Sequence, residues 1–198
     1  EFPLDYYRPL SFPTKHIHEL LTAVKRLKQE DIKPDEYLEY SQKLSAEASG
    51  DGEKESALKH LEMAKVYHKY QELLMEEGKI DFEDQVLLVV ELFRKRPSLL
   101  EEFQDKYKYL LVDEFQDTNY IQFELLKLLA AKNKNMTVCG DDDQSIFRFR
   151  GASLSNIYNF RKIFLNYKKV VLNKNYRSTQ SILDSAQQLI KQNNPDRL

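Results

Sequence analysis

YLLVDEFQD, at residues 109–117, is an apolar run that ends in two adjacent acids, Asp113 and Glu114. Such a run predicts a short buried strand that delivers carboxylates at its C-terminal end. Ligands bind at that end of the strands in open α/β sheets, and an Asp there holds magnesium in many nucleotide-hydrolysing proteins. A lone Asp-Glu pair is more often an acidic loop, so the rest of the chain must decide.

Two further segments repeat the pattern of an apolar strand followed by a polar tip. MTVC at 136–139 precedes GDDDQSIFRFRGA at 140–152, and VVL at 170–172 precedes NKNYRST at 173–179. Helical periodicity fills the intervals, with a capping box at Asn119 and a cap at Ser178. The alternation of strand and helix from Tyr109 onward predicts a parallel sheet.

The first eighty or so residues are predicted to be helical. Residues 17–27 keep a 3.6-residue apolar period. A long helix is predicted from about Lys54 to Glu77, and Gly78 closes it as a C-cap. The residues predicted to share one stripe of this helix are Leu61, Ala64, His68, Gln71 and Met75. Asp81, in the sequence DFED, is predicted to cap the next helix.

Composition excludes several classes of protein. Hydrophobic residues make up 41% and charged residues 31%, as in ordinary globular proteins. The net charge of −2 argues against a globally basic coat, so any DNA contact must come from a local surface. No apolar run is long enough for a membrane span, and the single cysteine, Cys139, excludes an internal disulfide. His16 and His18 are expected to be exposed helix residues.

LLVDEFQDTN, VCGDDDQSIFRFRGA and LNKNYRST, in this order, resemble motifs II, III and IV of the UvrD/Rep family of superfamily 1 DNA helicases. The resemblance is dense from Asp81 onward and weak before it. It implies an α/β fold with a helical insertion subdomain at residues 1–78 and the C-terminal part of a RecA-like parallel-sheet motor domain at 79–172. Residues 173–198 would hold motif IV and the start of the link to a second motor domain.

The same resemblance implies a site for ATP and Mg²⁺. Asp113 would lie near the metal, and Glu114 would orient and deprotonate the attacking water. Gln144 would report the presence of the γ-phosphate. Tyr176 would stack on the adenine, and Arg177 would reach the γ-phosphate.

Hydrogen-bonding roles are also expected around these motifs. Gln116 and Asp117 would link the nucleotide and DNA sites through hydrogen bonds. Asp141 is the best candidate among the three loop acids for an interaction with the core, because it follows the strand through Gly140.

Phe147, Arg148, Phe149 and Arg150 alternate rings with cations. Flat rings stack bases and guanidinium groups contact phosphates, as a single-stranded DNA platform requires. The same pattern also fits an edge strand with its rings facing inward, and the helicase resemblance favours the platform. The family often has Tyr and Trp at the two Phe positions, so this chain keeps the stacking faces and lacks their polar groups.

The leading interpretation is a fragment of an ATP-driven DNA helicase or translocase. The resemblance implies 3′-to-5′ movement on single-stranded DNA and single/double-strand junctions in replication or repair. Its expected partners are DNA and the remainder of the motor, in a bacterial-type cytoplasm near the nucleoid and away from membranes. None of the five glycines begins a G-x-x-x-x-G-K-[ST] phosphate loop, so the chain alone is expected to lack ATPase activity.

Two alternatives belong to other classes. One is a metal-dependent nuclease built on Asp113, Glu114, Asp117 and the acids at 141–143, since two-metal sites need converging carboxylates. The other is a non-catalytic DNA- or protein-binding module in the helical half. For Asp81, a purely structural cap and a contact with the nucleotide-bearing core stay equally open.

Overall fold

The chain folds into two compact units, residues 1–100 (the helical unit) and residues 101–198 (the sheet unit). This computed structural model describes residues 4–9, 11–145 and 155–193. The boundaries predicted from the family resemblance, after residues 78 and 172, stay a prediction. No helix within the described ranges is both long and apolar enough to cross a membrane.

Amphipathic helices build the helical unit, and the buried faces of the first and third helices share a core cluster. Leu20 and Val24 of the first helix meet Met63 and Tyr67 of the third. The helices are α1 (Ile17–Gln29), α2 (Pro34–Glu47), α3 (Asp51–Glu76) and α4 (Phe82–Lys95). Pro34 starts α2 at a position where its missing N–H costs nothing.

α3 ends as predicted but buries a different stripe. Gly78 has φ +62°, and its N–H donates to the carbonyl of Met75 while that of Lys79 donates to Leu74. Both bonds together make a Schellman C-cap, which favours glycine because a Cβ is strained at positive φ. The prediction that Met75 belongs to the buried stripe was wrong, because its side chain is 77% exposed and the core uses Met63 instead.

Asp81 caps α4, as predicted. Its carboxylate accepts a hydrogen bond from the N–H of Asp84 at 2.8 Å, and the side chain of Asp84 accepts one in return from the N–H of Asp81 at 3.3 Å. This reciprocal pair satisfies two N–H groups that a helix start leaves without partners. The structural reading of Asp81 is therefore confirmed, whereas a contact with the nucleotide-bearing core stays a prediction.

Within its described residues, the sheet unit has two parallel strands between helices. β1 (Leu110–Val112) pairs with β2 (Met136–Val138) in the register Leu110 to Met136. A short 3₁₀ helix (Phe115–Asp117) and α6 (Tyr120–Ala130) connect the strands, and a second 3₁₀ helix (Asp142–Gln144) follows β2. The remaining helices are α5 (Pro97–Lys106), which crosses the boundary between the two units, α7 (Ser155–Ile163) and α8 (Gln180–Asn193). The predicted α/β class with a parallel sheet is confirmed.

One face of this small sheet is buried. Phe115, Phe123 and Phe160 form the core cluster, and Val112, Met136 and Val138 pack against it. Leu111 points to the other face and is 82% exposed. Asn119 and Gln122 form the predicted capping box of α6, each accepting from the other's N–H at 3.0 Å.

Two predictions for the C-terminal segment were wrong. The apolar run at 170–172 forms no strand, and each of its side chains is at least 69% exposed. A strand needs a neighbour to pair with, and within the described residues none lies beside this run. Ser178 does not cap α8, because the helix begins at Gln180 and Thr179 holds the N-cap position.

Candidate functional site

The loops that follow β1 and β2 are held side by side by backbone hydrogen bonds. The N–H of Cys139 donates to the carbonyl of Val112 at 2.7 Å, and the N–H of Phe115 donates to the carbonyl of Cys139 at 2.8 Å. The parallel ladder thus continues past both strands. Asp113 and Glu114 consequently emerge beside Gly140 and Asp141.

Glu114 has an unusual backbone conformation. Its φ of 49° and ψ of 44° lie in the left-handed region, which is costly for a residue with a side chain. The hydrogen bond from Phe115 to Cys139 directly follows this residue and helps to hold it. Such strain is concentrated at functional sites, where the surrounding structure enforces it.

Gln116 bridges the two loops. Its side chain is fully buried. Its Nε2 donates to Oε2 of Glu114 at 2.7 Å, and its Oε1 accepts from the backbone N–H of Asp141 at 3.1 Å. A single amide therefore links the carboxylate after β1 to the loop after β2, and its predicted role between nucleotide and DNA sites stays a prediction.

Asp141 extends this link to Gln144. Its Oδ2 accepts from Nε2 of Gln144 at 2.7 Å, and its Oδ1 accepts from the N–H of Asp143 at 3.0 Å. Four residues form one hydrogen-bonded set, the relay, in which Gln116 meets Asp141 at its backbone N–H and the other bonds join side chains: Glu114, Gln116, Asp141 and Gln144. The relay joins the two motifs that sequence reasoning treated as neighbours.

Gly140 lies directly against the relay. A Cβ at this position would come within 3.0 Å of Oε1 of Gln116, 3.5 Å of its backbone nitrogen and 3.6 Å of the Cβ of Phe115. Glycine suits this close approach, because a Cβ would press on Oε1 of Gln116 and the amide would have to shift by a few tenths of an ångström.

Asp113 is an exposed carboxylate at the end of β1. Its Oδ1 accepts the N–H of Glu114 at 3.0 Å. No group of three or more His, Cys, Asp or Glu side chains among the residues that the structure describes is arranged to hold a metal ion. A single carboxylate still fits Mg²⁺ that arrives with phosphates, since this ion takes one or two protein carboxylates plus phosphate oxygens and water.

The motif IV residues do not reach the relay in this structure. Tyr176 is 90% exposed, and Arg177 is exposed as well. The N–H groups of Arg177 and Ser178 donate to Oδ1 of Asn175, which organises a local turn. Their predicted contacts with adenine and the γ-phosphate stay predictions. Phe147, Arg148, Phe149 and Arg150 lie outside the described residues, so their predicted DNA platform also stays a prediction.

Sequence reasoning missed Asn156. This residue is fully buried at the start of α7, and its amide donates to the loop that follows Asp117. The available signal was its spacing, because Asn156 lies four residues before the core residue Phe160 and thus on the same helix face. A polar residue on a buried helix face is a candidate for a specific hydrogen bond.

Parallel strands whose carboxyl ends carry a linked acid and amide are typical of nucleotide-hydrolysing α/β proteins. Residues 6–165 match the UvrD/REP helicase N-terminal domain family. This match covers well over half of the chain, and the chain belongs to that family. The predicted helical part joined to part of a RecA-like domain is thereby confirmed.

Named relatives are consistent with this assignment. The chain is 46% identical over 132 residues to an ATP-dependent DNA helicase PcrA of Leuconostoc citreum. It is 44% identical over 144 residues to an ATP-dependent DNA helicase PcrA of Staphylococcus aureus. The matched segments cover 67% and 72% of this chain but 18% and 20% of the two relatives. The chain thus spans about a fifth of the length of these relatives.

Proposed function

We propose that this chain is the part of an ATP-driven DNA helicase that supplies the hydrolytic carboxylate and links it to the DNA-binding segment. The relay carries the proposal, because it connects Glu114 to Gln144 through hydrogen bonds that run by way of the buried Gln116 amide. The family and the named relatives support ATP as the energy source and DNA as the substrate. Movement in the 3′-to-5′ direction, preference for single-strand junctions and a cytoplasmic, nucleoid-associated location belong to this proposal.

Glu114 is proposed as the general base. Its Oε2 accepts from Gln116, and within the described part of the chain no donor is bound to Oε1. This second oxygen can accept a proton from an attacking water. The left-handed backbone and the Gln116 bond fix the carboxylate before substrate arrives, and such preorganisation is a main source of catalytic rate.

Asp113 is proposed to face the magnesium ion that accompanies ATP. The bound ion and nucleotide would supply the phosphoryl group and neutralise its charge. Asp113 itself would offer a carboxylate oxygen to the ion at the end of β1, while its Oδ1 accepts the backbone N–H of Glu114. Tyr176 and Arg177 are proposed to hold adenine and γ-phosphate once the second motor domain has docked.

Gln144 is proposed to connect nucleotide state with DNA contact. Its Nε2 donates to Asp141 within the relay. Phe147 follows three residues later in the sequence, at the start of the ring-and-cation alternation that suits stacking on single-stranded DNA. A γ-phosphate that competes for the Gln144 amide would therefore act on the segment that begins the proposed DNA platform.

Substitution of Glu114 tests the proposal. The assembled motor is defined as these 198 residues together with polypeptide that supplies a phosphate loop and the second motor domain. Glu114→Gln should lower DNA-stimulated ATP hydrolysis by about 10²- to 10⁴-fold, because an amide cannot accept the proton. ATP binding should persist, and this is measured by fluorescent-nucleotide titration. Glu102→Gln, an exposed acid of α5, is the control and should leave the rate unchanged. A Glu114→Gln motor that hydrolyses ATP normally would contradict the proposed role.

The nuclease alternative has a distinct outcome. It requires acids converging on two metal ions, and the described residues contain no such group. DNA cleavage with Mg²⁺ and no ATP would favour it over the helicase. The binding-module alternative would be favoured if single-stranded DNA binding survived Phe149→Ala but vanished when the residues before Asp81 were deleted.

A further inference from the structure

Asn156 makes several hydrogen bonds to the loop between α6 and the turn after β1, which consists of Glu114 and the 3₁₀ helix Phe115–Asp117. Its Nδ2 donates to the carbonyl of Thr118 at 2.9 Å and to the carbonyl of Asn119 at 3.2 Å, and it lies 3.3 Å from the hydroxyl of Thr118. These bonds cross 37 or 38 residues of sequence. They attach the first turn of α7 to the segment that follows the 3₁₀ helix.

Thr118 connects this contact to the residues beside Glu114. Its hydroxyl donates to the carbonyl of Phe115 at 2.7 Å, and its N–H donates to the same carbonyl at 3.2 Å. The N–H of Asp117 donates to the carbonyl of Glu114 at 2.9 Å. Asn156 is thus bonded to Thr118, and Thr118 is bonded to Phe115, the residue next to the left-handed Glu114.

A second contact holds α7 to the same turn. The ring of Phe160 meets the ring of Phe115 with centroids 5.8 Å apart in an edge-on arrangement. Phe160 and Asn156 lie one helical turn apart on one face of α7. α7 is therefore anchored to this turn at two points, one polar and one apolar.

The chemistry of Asn156 points to a specific purpose. Its Oδ1 is buried and has no hydrogen-bond partner within the described residues. A buried unpaired acceptor is destabilising, so an apolar side chain would be the simpler way to fill this space. An amide is useful here because it donates to carbonyl oxygens of a loop that has no regular secondary structure.

The position of α7 in the chain supplies the functional link. It begins at Ser155, directly after the segment that contains Phe147 to Arg150. We propose that Asn156 is a positioning residue that couples single-stranded DNA contact at Phe147 to Arg150 with the placement of Glu114. The inference rests on the proposed function, and it identifies α7 as a second route besides the relay.

Two substitutions of Asn156 test the coupling in the assembled motor. Asn156→Leu keeps the approximate size and removes the amide donors, and Asn156→Asp keeps the shape and sets a carboxylate against two carbonyl oxygens. Both should lower the stimulation of ATP hydrolysis by single-stranded DNA by about 5- to 150-fold, the usual range of coupling between sites. The rate without DNA and the KM for ATP should change by less than about 2-fold, because without DNA the Gln116 bond still holds Glu114 and no nucleotide contact is substituted.

Tyr158→Ala, on the exposed side of α7, is the matched control and should keep full stimulation. Equal losses in the DNA-free and DNA-stimulated rates would overturn the inference, because a merely structural role lowers both. If Glu114→Gln abolishes hydrolysis while both Asn156 variants keep full stimulation, the proposed function stands and this inference fails. If Glu114→Gln keeps hydrolysis, the proposed function itself fails.

Hydrogen exchange in the unmodified 198-residue chain gives an independent test that needs no variant to fold. Segments that open together exchange at similar free energies. The amides of Asp117 and Thr118 should exchange with the same protection as the Phe164 amide, which donates to Phe160 at the end of α7. If α7 exchanges far faster than the turn, the two are not coupled and the inference is overturned.

Discussion

At the scale of single residues, a buried amide can join two strand ends because it carries a donor and an acceptor on one rigid group. Gln116 uses both, toward Glu114 and toward Asp141. An acid at this position would have no N–H for Glu114, and an aliphatic residue would leave both partners without their bond. Its burial also means that each lost bond costs more than it would at the surface.

The neighbouring Gly140 offers a direct residue-scale prediction. Gly140→Ala should displace the Gln116 amide, since the new Cβ would approach Oε1 within 3.0 Å. We expect DNA-stimulated ATP hydrolysis by the assembled motor to fall about 10- to 100-fold, as small misplacements of catalytic groups do. Gly52→Ala is the control, because a Cβ there meets nothing within 4 Å. An unchanged rate for Gly140→Ala would show that the Gln116 position does not matter.

At the scale of elements, one lysine joins three helices of the helical unit. Lys28 of α1 is fully buried, with its Nζ 2.6 Å from Oδ2 of Asp81 and 2.8 Å from Oδ1 of Asp84 at the start of α4. Tyr70 of α3 donates to the same Asp81 oxygen at 3.0 Å. Burial and this hydrogen bond raise the pKa of Tyr70 to about 12. α1, α3 and α4 are thereby fixed by one charged cluster.

Loss of Lys28 should destabilise this unit strongly. Lys28→Met leaves the buried Asp84 carboxylate and the partly buried Asp81 carboxylate without their cation, and breaking a buried pair costs about 3–5 kcal/mol. Lys25→Met is the control on the same helix. Its ion pair with Glu83, at 3.2 Å, involves a half-exposed lysine and should matter by less than about 1 kcal/mol. Urea unfolding followed by tyrosine fluorescence measures both, and equal small effects would contradict the role of the cluster.

The same cluster predicts a pH dependence. Burial raises the pKa of Asp81, but hydrogen bonds from Lys28 and from the Asp84 N–H outweigh it and hold the pKa below its ordinary value. The unfolded chain therefore binds this proton more readily, so the stabilisation is complete above about pH 4 and is lost as pH falls further. The stability difference between the unmodified chain and Lys28→Met should shrink as pH falls below about 4, the ordinary pKa of an aspartate. A difference that stays constant as the solution is acidified below that pH would contradict the assignment.

Elements were predictable from sequence where the signal was local. The caps at Asp81 and Asn119 and the C-cap at Gly78 follow from residue type and spacing. The prediction of a strand at 170–172 was wrong because a strand depends on a second strand to pair with, and the local sequence does not show whether one is present. Lys28 was missed although it continues the buried i, i+4 positions of Leu20 and Val24, because a lysine there is interpreted as solvent-facing until its acidic partners are known.

At the scale of the whole molecule, the chain contains part of a larger fold. Its two-stranded sheet leaves Leu111 exposed on one face, and the apolar run at 170–172 is exposed too. Parallel sheets are normally covered on both faces. The family motifs could be predicted from sequence because they combine apolar strands with polar tips in a fixed order. The Asn156 contact and the relay geometry could not, because they depend on how distant segments meet.

The claim on which the rest depends is that the two strand ends act as one hydrogen-bonded unit. A double-mutant cycle in the assembled motor tests it, with Gln116→Leu and Gln144→Leu compared singly and together for DNA-stimulated ATP hydrolysis. Members of one relay should be non-additive, so the double variant should lose little more than the worse single variant. Losses that simply multiply would show that Gln116 and Gln144 act independently, and would contradict the relay.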